Sequence, residues 1–264
     1  MIYQFSSRTD AGLARPNNED AVLVDEPNRL GILADGMGGY NAGEIASGMA
    51  ATLIRAQLGA WLEQKKAGGA SARDLRRAIE LSVEEANRTV FRASQTNPAY
   101  AGMGTTLVMA VFQDQRIMVA HIGDSRGYRL HGGRLSRITR DHSLLQEQLD
   151  AGLITAEQAA NSSYRNLVTR ALGVEDTVIV EVNEVRVDAG DCFLLCSDGL
   201  SDMIDDAMIA DILRLDAPLD ERAARLVDTA NAHGGRDNIS VLLAQAQADP
   251  PRPGLLSRWL GQSR

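Results

Sequence analysis

The stretch 31-GILADGMGG-39 runs a short apolar strand into a carboxylate and then into a cluster of glycines. A turn needs one glycine. Gly36, Gly38 and Gly39 together imply that something approaches the backbone closely just past Asp35. The construction recurs. An apolar run ends at Asp124 in 119-VAHIGDS-125, and another at Asp198 in 193-FLLCSDG-199. Asp237 precedes the last apolar run in 235-GRDNISVLLA-244, and Glu19 and Asp20 close 15-RPNNED-20 just before a strand starting at Ala21. Six carboxylates therefore lie at or beside strand ends.

One Asp-Gly after a strand is ordinarily a turn. The repetition is what carries information, because strand ends on one side of a sheet can converge. Two unit charges about 4 Å apart repel by about 4 kcal/mol at an effective dielectric near 20. Several such pairs would exceed the roughly 5–15 kcal/mol stability of a domain. Either the carboxylates are scattered, or divalent cations sit among them. An all-oxygen ligand set suits Mg²⁺ or Mn²⁺, and Ca²⁺ less specifically. Zinc is disfavoured: His121, His131, His142 and His233 form no H-x-H, H-E-x-x-H or Cys/His pattern. A glycine beside Asp35 lets a backbone carbonyl, such as that of Gly36, reach an ion. Arg15, four residues before Glu19, suits bidentate capture of a phosphate.

The chain has 264 residues with 44% hydrophobic content, enough for one large core or two small ones. Its net charge of −8 and lack of a Lys/Arg block argue against nucleic acid or an anionic membrane as the main partner. An acidic protein can bind an anion only where something local reverses the field. Cys192 and Cys196, in 192-CFLLC-196, read as small hydrophobes of a buried strand rather than as redox or zinc residues. No signal peptide opens the sequence, and no apolar run approaches the length of a membrane span, so a cytoplasmic setting is expected.

Helical spacing of apolar residues predicts long helices over 45–66 and from Ser71 to about Phe91, with shorter ones over 206–215 and 220–232. In the first, Ile45, Met49, Leu53, Leu58 and Leu62 mark the stripe, with Ala46, Ala50, Ile54 and Trp61 on the same face. Period-two or short apolar runs predict strands over 4–7, 21–25, 30–34, 105–112, 117–122, 127–131, 178–187, 192–196 and 239–246. Residues 113–115 and 131–133 read as hairpin turns. Strands and helices each come in neighbouring pairs without βαβ alternation, which favours antiparallel sheets flanked by helices, an α+β class. The excursion 142–173 has no strand signal. Ser143-x-x-Gln146 and Thr155-x-x-Gln158 resemble capping boxes, predicting two short helices in a surface excursion or a lid. The tail from 249 begins with prolines and carries Leu255, Leu256, Trp259 and Leu260.

Taken together and in this order, R-P-N-N-E-D (15–20), L-A-D-G-M-G-G (33–39), M-G-T-T (103–106), H-I-G-D-S-R (121–126), S-D-G-L (197–200) and G-R-D-N-I-S (235–240) resemble the metal-dependent protein phosphatases of type 2C, the PPM family, in its compact bacterial form. The resemblance spans about residues 5–246. It implies a four-layer α-β-β-α sandwich of two stacked antiparallel sheets flanked by helix pairs. It also implies one catalytic domain over 1–246, with 142–173 as the family's flap and 247–264 as a tail. The implied reaction is hydrolysis of phosphoserine and phosphothreonine in proteins, by a water bridging two Mn²⁺ or Mg²⁺ ions. Carried over, Asp35 bridges the two metals, the Gly36 carbonyl binds the second, and Asp198 and Asp237 hold the first. Glu19 and Asp20 ligate or orient metal-bound waters, Arg15 grips the phosphate, and Asp124 with Asp198 holds a third, weaker ion. Asn238 supports the loop. Implied partners are phosphoproteins and a cognate bacterial serine/threonine kinase, with the chain a monomer.

Unaided phosphate monoester hydrolysis is so slow that enzymes accelerate it by up to about 10²¹-fold, which explains the demand for metals. A cysteine phosphatase is excluded, since C-x5-R would need arginine at 198 or 202 and both are aspartate. One departure from the family concerns the general acid. Where family members can carry histidine, this chain has Met37 and Tyr40. A metal-bound water, Tyr40 or a flap-side histidine all remain open for that role. Two other functions remain open as well: a degenerate module that binds phosphoproteins without turnover, and hydrolysis of small phosphate esters.

Overall fold

The computed structural model describes residues 1–39, 42–66, 68–160 and 167–249. One sheet has the order β1 (Ile2–Asp10), β11 (Ile239–Gln247), β10 (Cys192–Cys196), β7 (Arg126–His131), β8 (Arg134–Arg137). The other runs β2 (Asp20–Asp25), β3 (Leu30–Met37), β5 (Leu107–Phe112), β6 (Arg116–Ile122), β9 (Glu181–Arg186), with the short β4 (Gly104–Thr105) also on β3. Every strand pairing is antiparallel. Helices α1 (Ala42–Lys65) and α2 (Ala72–Thr96) cover the second sheet, and α6 (Asp206–Leu213) and α7 (Leu219–Ala232) cover the first.

Side-chain alternation produces the layers. In β3, Ile32 joins the core under α1 and α2, while Leu33 joins the core between the sheets. In β5, Met109 and Val111 go to the first of these and Val108 and Ala110 to the second. In β11, Val241 and Leu243 pack with Leu226 and Ile209 of the helices, whereas Leu242 and Ala244 meet Phe193 between the sheets. Strands buried on both faces need apolar residues at successive positions, which is why these runs read as unbroken hydrophobic stretches. The expected four layers are present.

Several boundaries differ from the sequence reading, each for a local reason. The strand bearing Asp35 continues to Met37, because Gly36 and Met37 pair with Thr105 and Gly104. Asp35 thus lies inside a strand rather than at its end. Strand β10 stops at Cys196, and Asp198 instead opens the short helix α5 (Asp198–Ser201). Strand β8 was not anticipated: 134-RLSR-137 has almost no apolar content, and it forms only as the exposed edge arm of the hairpin at 131–133. On α1 the buried stripe is Ala46, Ala50, Ile54 and Leu58, and Ile45, Met49 and Leu53 are only partly covered. Small residues let the helix axis lie close to the sheet, which a stripe of larger side chains would prevent.

The excursion forms the two predicted helices, α3 (Leu144–Asp150) and α4 (Ala156–Ala160). The Gln146 amide donates to Ser143 Oγ at 3.3 Å. Thr155 and Gln158 cap reciprocally, at 2.8 and 3.2 Å. Ser71 caps α2 as expected, accepting from the Asp74 amide. Residues 161–166 of the excursion and the tail from 250 lie outside the described residues. Among the described residues, no helix is long and apolar enough to cross a membrane. Leu242 is fully buried between the sheets. Leu242→Ala is expected to cost about 2–5 kcal/mol, read as a lower urea midpoint at unchanged m-value.

Candidate metal centre

A cavity of about 510 Å³ opens at one end of the stacked sheets, lined by Arg15, Glu19, Asp35, Gly36, Asp124, Asp198 and Asp237, with Met37, Thr106, Val168 and Asn238 among the remaining wall residues. Six of the seven proposed ligands therefore meet in one place, from five separate chain segments. The seventh, Asp20, is register partner of Asp35 across the β2–β3 ladder and sits behind the wall. Its Oδ2 accepts from Ser197 Oγ at 3.0 Å, and its buried Oδ1 has no hydrogen-bond partner.

The glycine question has a local answer. A Cβ on Gly36 would lie 2.2 Å from the Gly43 carbonyl oxygen and 2.6 Å from that of Glu19. The approaching group is the chain itself: the start of α1 and the 15–19 loop are pressed onto β3. Gly39 has open space around it and plays no such part.

Hydroxyls and amides brace the carboxylates from behind. The Asp35 amide donates to Thr106 Oγ1 at 3.1 Å, while the Thr106 amide and Thr105 Oγ1 donate to the Asp35 carbonyl, each at 2.8 Å. Asn238 accepts from the Glu19 amide at 2.8 Å and donates to the carbonyls of Ala11 and Asn17, tying the N-terminal loop to β11. Ser47 Oγ donates to the Glu19 carbonyl at 2.6 Å. Of these, the threonines and Asn238 lay in motifs already singled out. Ser197 lay in the 197–200 motif as well, whereas no role was read for Ser47 or Asp202. Asp202 adds its charge to Asp198 and Asp124. It stands one helical turn after Asp198 in 198-DGLSD-202, a spacing that was available to be read.

Electrostatics are severe. Lost hydration, then the charges of Asp20, Asp198, Asp124 and Asp237, push the Asp35 carboxyl well above the usual carboxylate range. Burial and then Asp124, Asp202, Asp237 and Asp20 do the same to Asp198. Asp20 and Asp124 are each raised to about 6, chiefly by desolvation. Desolvation also raises Glu19, against the opposing charge of Arg15. Arg15 is the one cation among the described wall residues, and its Nη2 donates to Asp237 Oδ2 at 2.7 Å. A cluster that resists ionisation, with an unpartnered carboxylate oxygen and only oxygen donors, fits hard divalent cations.

The tightest groups of potential ligands among the described residues, His121–His142–Glu181 and His131–Asp188–Asp191, lie outside this cavity. Among the described residues, no three of the cavity carboxylates bring oxygens within 4.8 Å of one another. That spacing suits Mg²⁺ or Mn²⁺, which retain several waters and take only a few protein ligands each. The thiols play no part here: burial pushes Cys192 to about 11 and Cys196 to about 12.

A family profile described as Protein phosphatase 2C matches residues 14–244. The chain belongs to the protein phosphatase 2C family. It is 39% identical over 241 residues to the serine/threonine phosphatase stp of Listeria monocytogenes, covering 90% of this chain and 94% of that protein. The crystal structure of the Mycobacterium tuberculosis serine/threonine phosphatase PstP/Ppp superposes with a TM-score of 0.84 at 38% identity, over 94% of this chain and all of that one. A structure of the PstP catalytic domain in complex with two manganese ions superposes with a TM-score of 0.80 at 36% identity, over 94% and 99% of the two chains.

In this 2C-family chain the raised carboxylates dictate how stability varies with pH. Without metal, the folded state holds protons on Asp20 and Asp124 up to about pH 6, whereas the unfolded chain releases them near 4. The folded state binds more protons in that window, so metal-free stability falls as pH rises from about 4 through 6. Mn²⁺ at about 100 times its Kd should raise the melting midpoint by roughly 5–10 °C. At one fixed Mn²⁺ concentration that gain should be larger at pH 8 than at pH 5 in scanning calorimetry, because protons compete for the carboxylates at the lower pH.

Proposed function

We propose that this chain hydrolyses phosphoserine and phosphothreonine in phosphoproteins at a binuclear Mn²⁺ or Mg²⁺ centre, opposing a serine/threonine kinase. The observation that carries this reading is the convergence of five wall carboxylates and one guanidinium on a single cavity. Asp35, the Gly36 carbonyl, Asp198 and Asp237 are the proposed holders of two ions, with Glu19 and Asp20 orienting coordinated waters and Asp124 serving a third. The two manganese ions of the PstP catalytic domain support that stoichiometry. When bound, the ions supply Lewis-acid charge on the phosphoryl oxygens and an activated water.

The chain's own residues do the rest. Arg15 presents donors beyond the one spent on Asp237, and a guanidinium fork matches two phosphate oxygens. Thr105 and Thr106 fix the backbone of Asp35, so the carboxylate does not reorganise during reaction. Pro16, Met37 and Val168 are the apolar side chains of the wall. No protein nucleophile is required, and the two buried thiols offer none.

Mn²⁺-dependent release of p-nitrophenol from p-nitrophenyl phosphate, abolished by chelator, is the direct test. A folded chain without turnover would favour the phosphoprotein-binding module. A phosphothreonine peptide should be hydrolysed with higher kcat/KM than small phosphate esters measured alongside, and the reverse order would favour a metabolite phosphatase. Asp35→Asn should lower kcat by more than the roughly 10–100-fold typical of losing an outer-shell partner. Arg15→Ala should lower kcat/KM by about 10²-fold, comparable to removing one donor to developing charge.

A further inference from the structure

Asp124 sits in a loop that is held from both sides. On one side, Ser125 Oγ and Thr106 Oγ1 lie 2.7 Å apart, and Thr106 also accepts from the Asp35 amide. On the other side, His142 grips Gly123 twice. The His142 amide donates to the Gly123 carbonyl at 2.9 Å, and the Gly123 amide donates to His142 Nδ1 at 3.2 Å. Gly123 has φ +96°, and a Cβ there would lie 2.8 Å from Thr106 Cβ, so the turn is available to glycine alone.

The imidazole is itself immobilised. It is 6% exposed and stacks on His121, with ring centroids 4.8 Å apart at 21°. His121 is fully buried, and its Nε2 lies 2.8 Å from the Arg140 carbonyl. Because His142 Nδ1 accepts a hydrogen bond, the neutral ring carries its proton on Nε2, which lies 3.6 Å from Glu181 Oε2. That tautomer also rules out the cation site that His121, His142 and Glu181 might otherwise suggest, since His142 has no lone pair left for an ion. The His142 carbonyl accepts from the Thr169 amide at 2.8 Å, and Ser143 bridges Val168, a wall residue of the cavity. One residue therefore touches both the loop bearing Asp124 and the closed base of the excursion.

We propose that His142 is a positioning residue: its Nδ1 acts as a fixed acceptor that holds the Gly123 turn and so aims the Asp124 carboxylate into the metal cavity. The assignment rests on the reading that Asp124 ligates a cation. It gives His142 a role distinct from proton transfer to the leaving group, because its ring points at Gly123 and Glu181.

The test compares the full chain with His142→Ala, His142→Asn and His142→Gln, using Mn²⁺ titration calorimetry and turnover of p-nitrophenyl phosphate. The Asn amide oxygen can occupy the place of Nδ1, whereas that of Gln reaches toward Nε2. In His142→Ala the weakest Mn²⁺ site should lose about tenfold or more in affinity. Its kcat/KM for the ester should fall with it, because the lost cation no longer offsets the negative charge of the cavity. His142→Asn should restore both, and His142→Gln should not. A variant that is merely less stable would show fewer active molecules at unchanged Mn²⁺ affinity, which overturns the proposal. Equal behaviour of the Asn and Gln variants overturns it too, and that comparison decides the matter if the alanine variant does not fold. Failure of the unaltered chain to bind Mn²⁺ would sink the metal reading and this proposal with it. Mn²⁺ affinity unchanged in His142→Ala would sink only this one.

Discussion

Mutual repulsion among carboxylates that the fold forces together is the constraint on which the rest of the structure depends. Asp20 and Asp35 face each other across a strand ladder, and Asp124, Asp198 and Asp237 reach the same cavity from other segments. Nothing in the hydrophobic patterning requires this. The layers would pack as well with serine or alanine at those positions, and the cluster costs stability wherever its members ionise. A fold that tolerates such a cost must braid the acidic segments tightly enough that they cannot swing out to water. The supports found here do that: Thr105 and Thr106 behind Asp35, Ser197 on Asp20, Asn238 across the N-terminal loop, and Gly36 pressed beneath Gly43.

The parts of the fold set by periodicity were readable from the sequence. Strands β3, β5, β6, β10 and β11 carry their own signal because both faces are buried, and α2 announces itself through Ser71 and an apolar stripe. Strand β8 was not readable, since an exposed edge strand needs no apolar face. The extension of β3 past Asp35 was hidden as well. It depends on Gly104 and Thr105 arriving from nearly seventy residues away, and no local pattern encodes that pairing. The facing of α1 was misweighted for a different reason: large apolar residues draw the eye, whereas close helix–sheet approach selects alanine.

The site divides in the same manner. Carboxylates at strand ends could be found because repetition of an unusual construction is visible along the chain. Their convergence follows from the sheet order, which residue spacing does not encode; resemblance supplied only the layered architecture. The bracing hydroxyls were invisible as such. Ser47 and Ser197 are common residue types whose roles appear only once the segments they join, 28 and 177 positions away in sequence, are seen side by side. His142 belongs with them: in sequence it is one flap-side histidine, and only the fold shows that its Nδ1 accepts from the Gly123 amide.

Charge counting shows why the Asp124 loop needs such firm support. Asp20 and the five wall carboxylates face a single guanidinium, a deficit of five charges if all ionise. Two divalent ions leave the site one charge negative, still repelling a phosphate monoester that carries about −1.5 to −2. The deficit closes if a carboxyl with a raised pKa keeps its proton, or if a third cation joins. In the metal-free site Asp20 and Asp124 release their protons above about pH 6, whereas burial and neighbouring charge hold Asp35 and Asp198 well above the usual carboxylate range. A third divalent cation is the other way to turn the cavity positive, and on the proposed assignment Asp124 is the wall carboxylate left to receive it. On that assignment, the value of Asp124 to an anionic substrate depends less on its own charge than on being held where that charge attracts a cation.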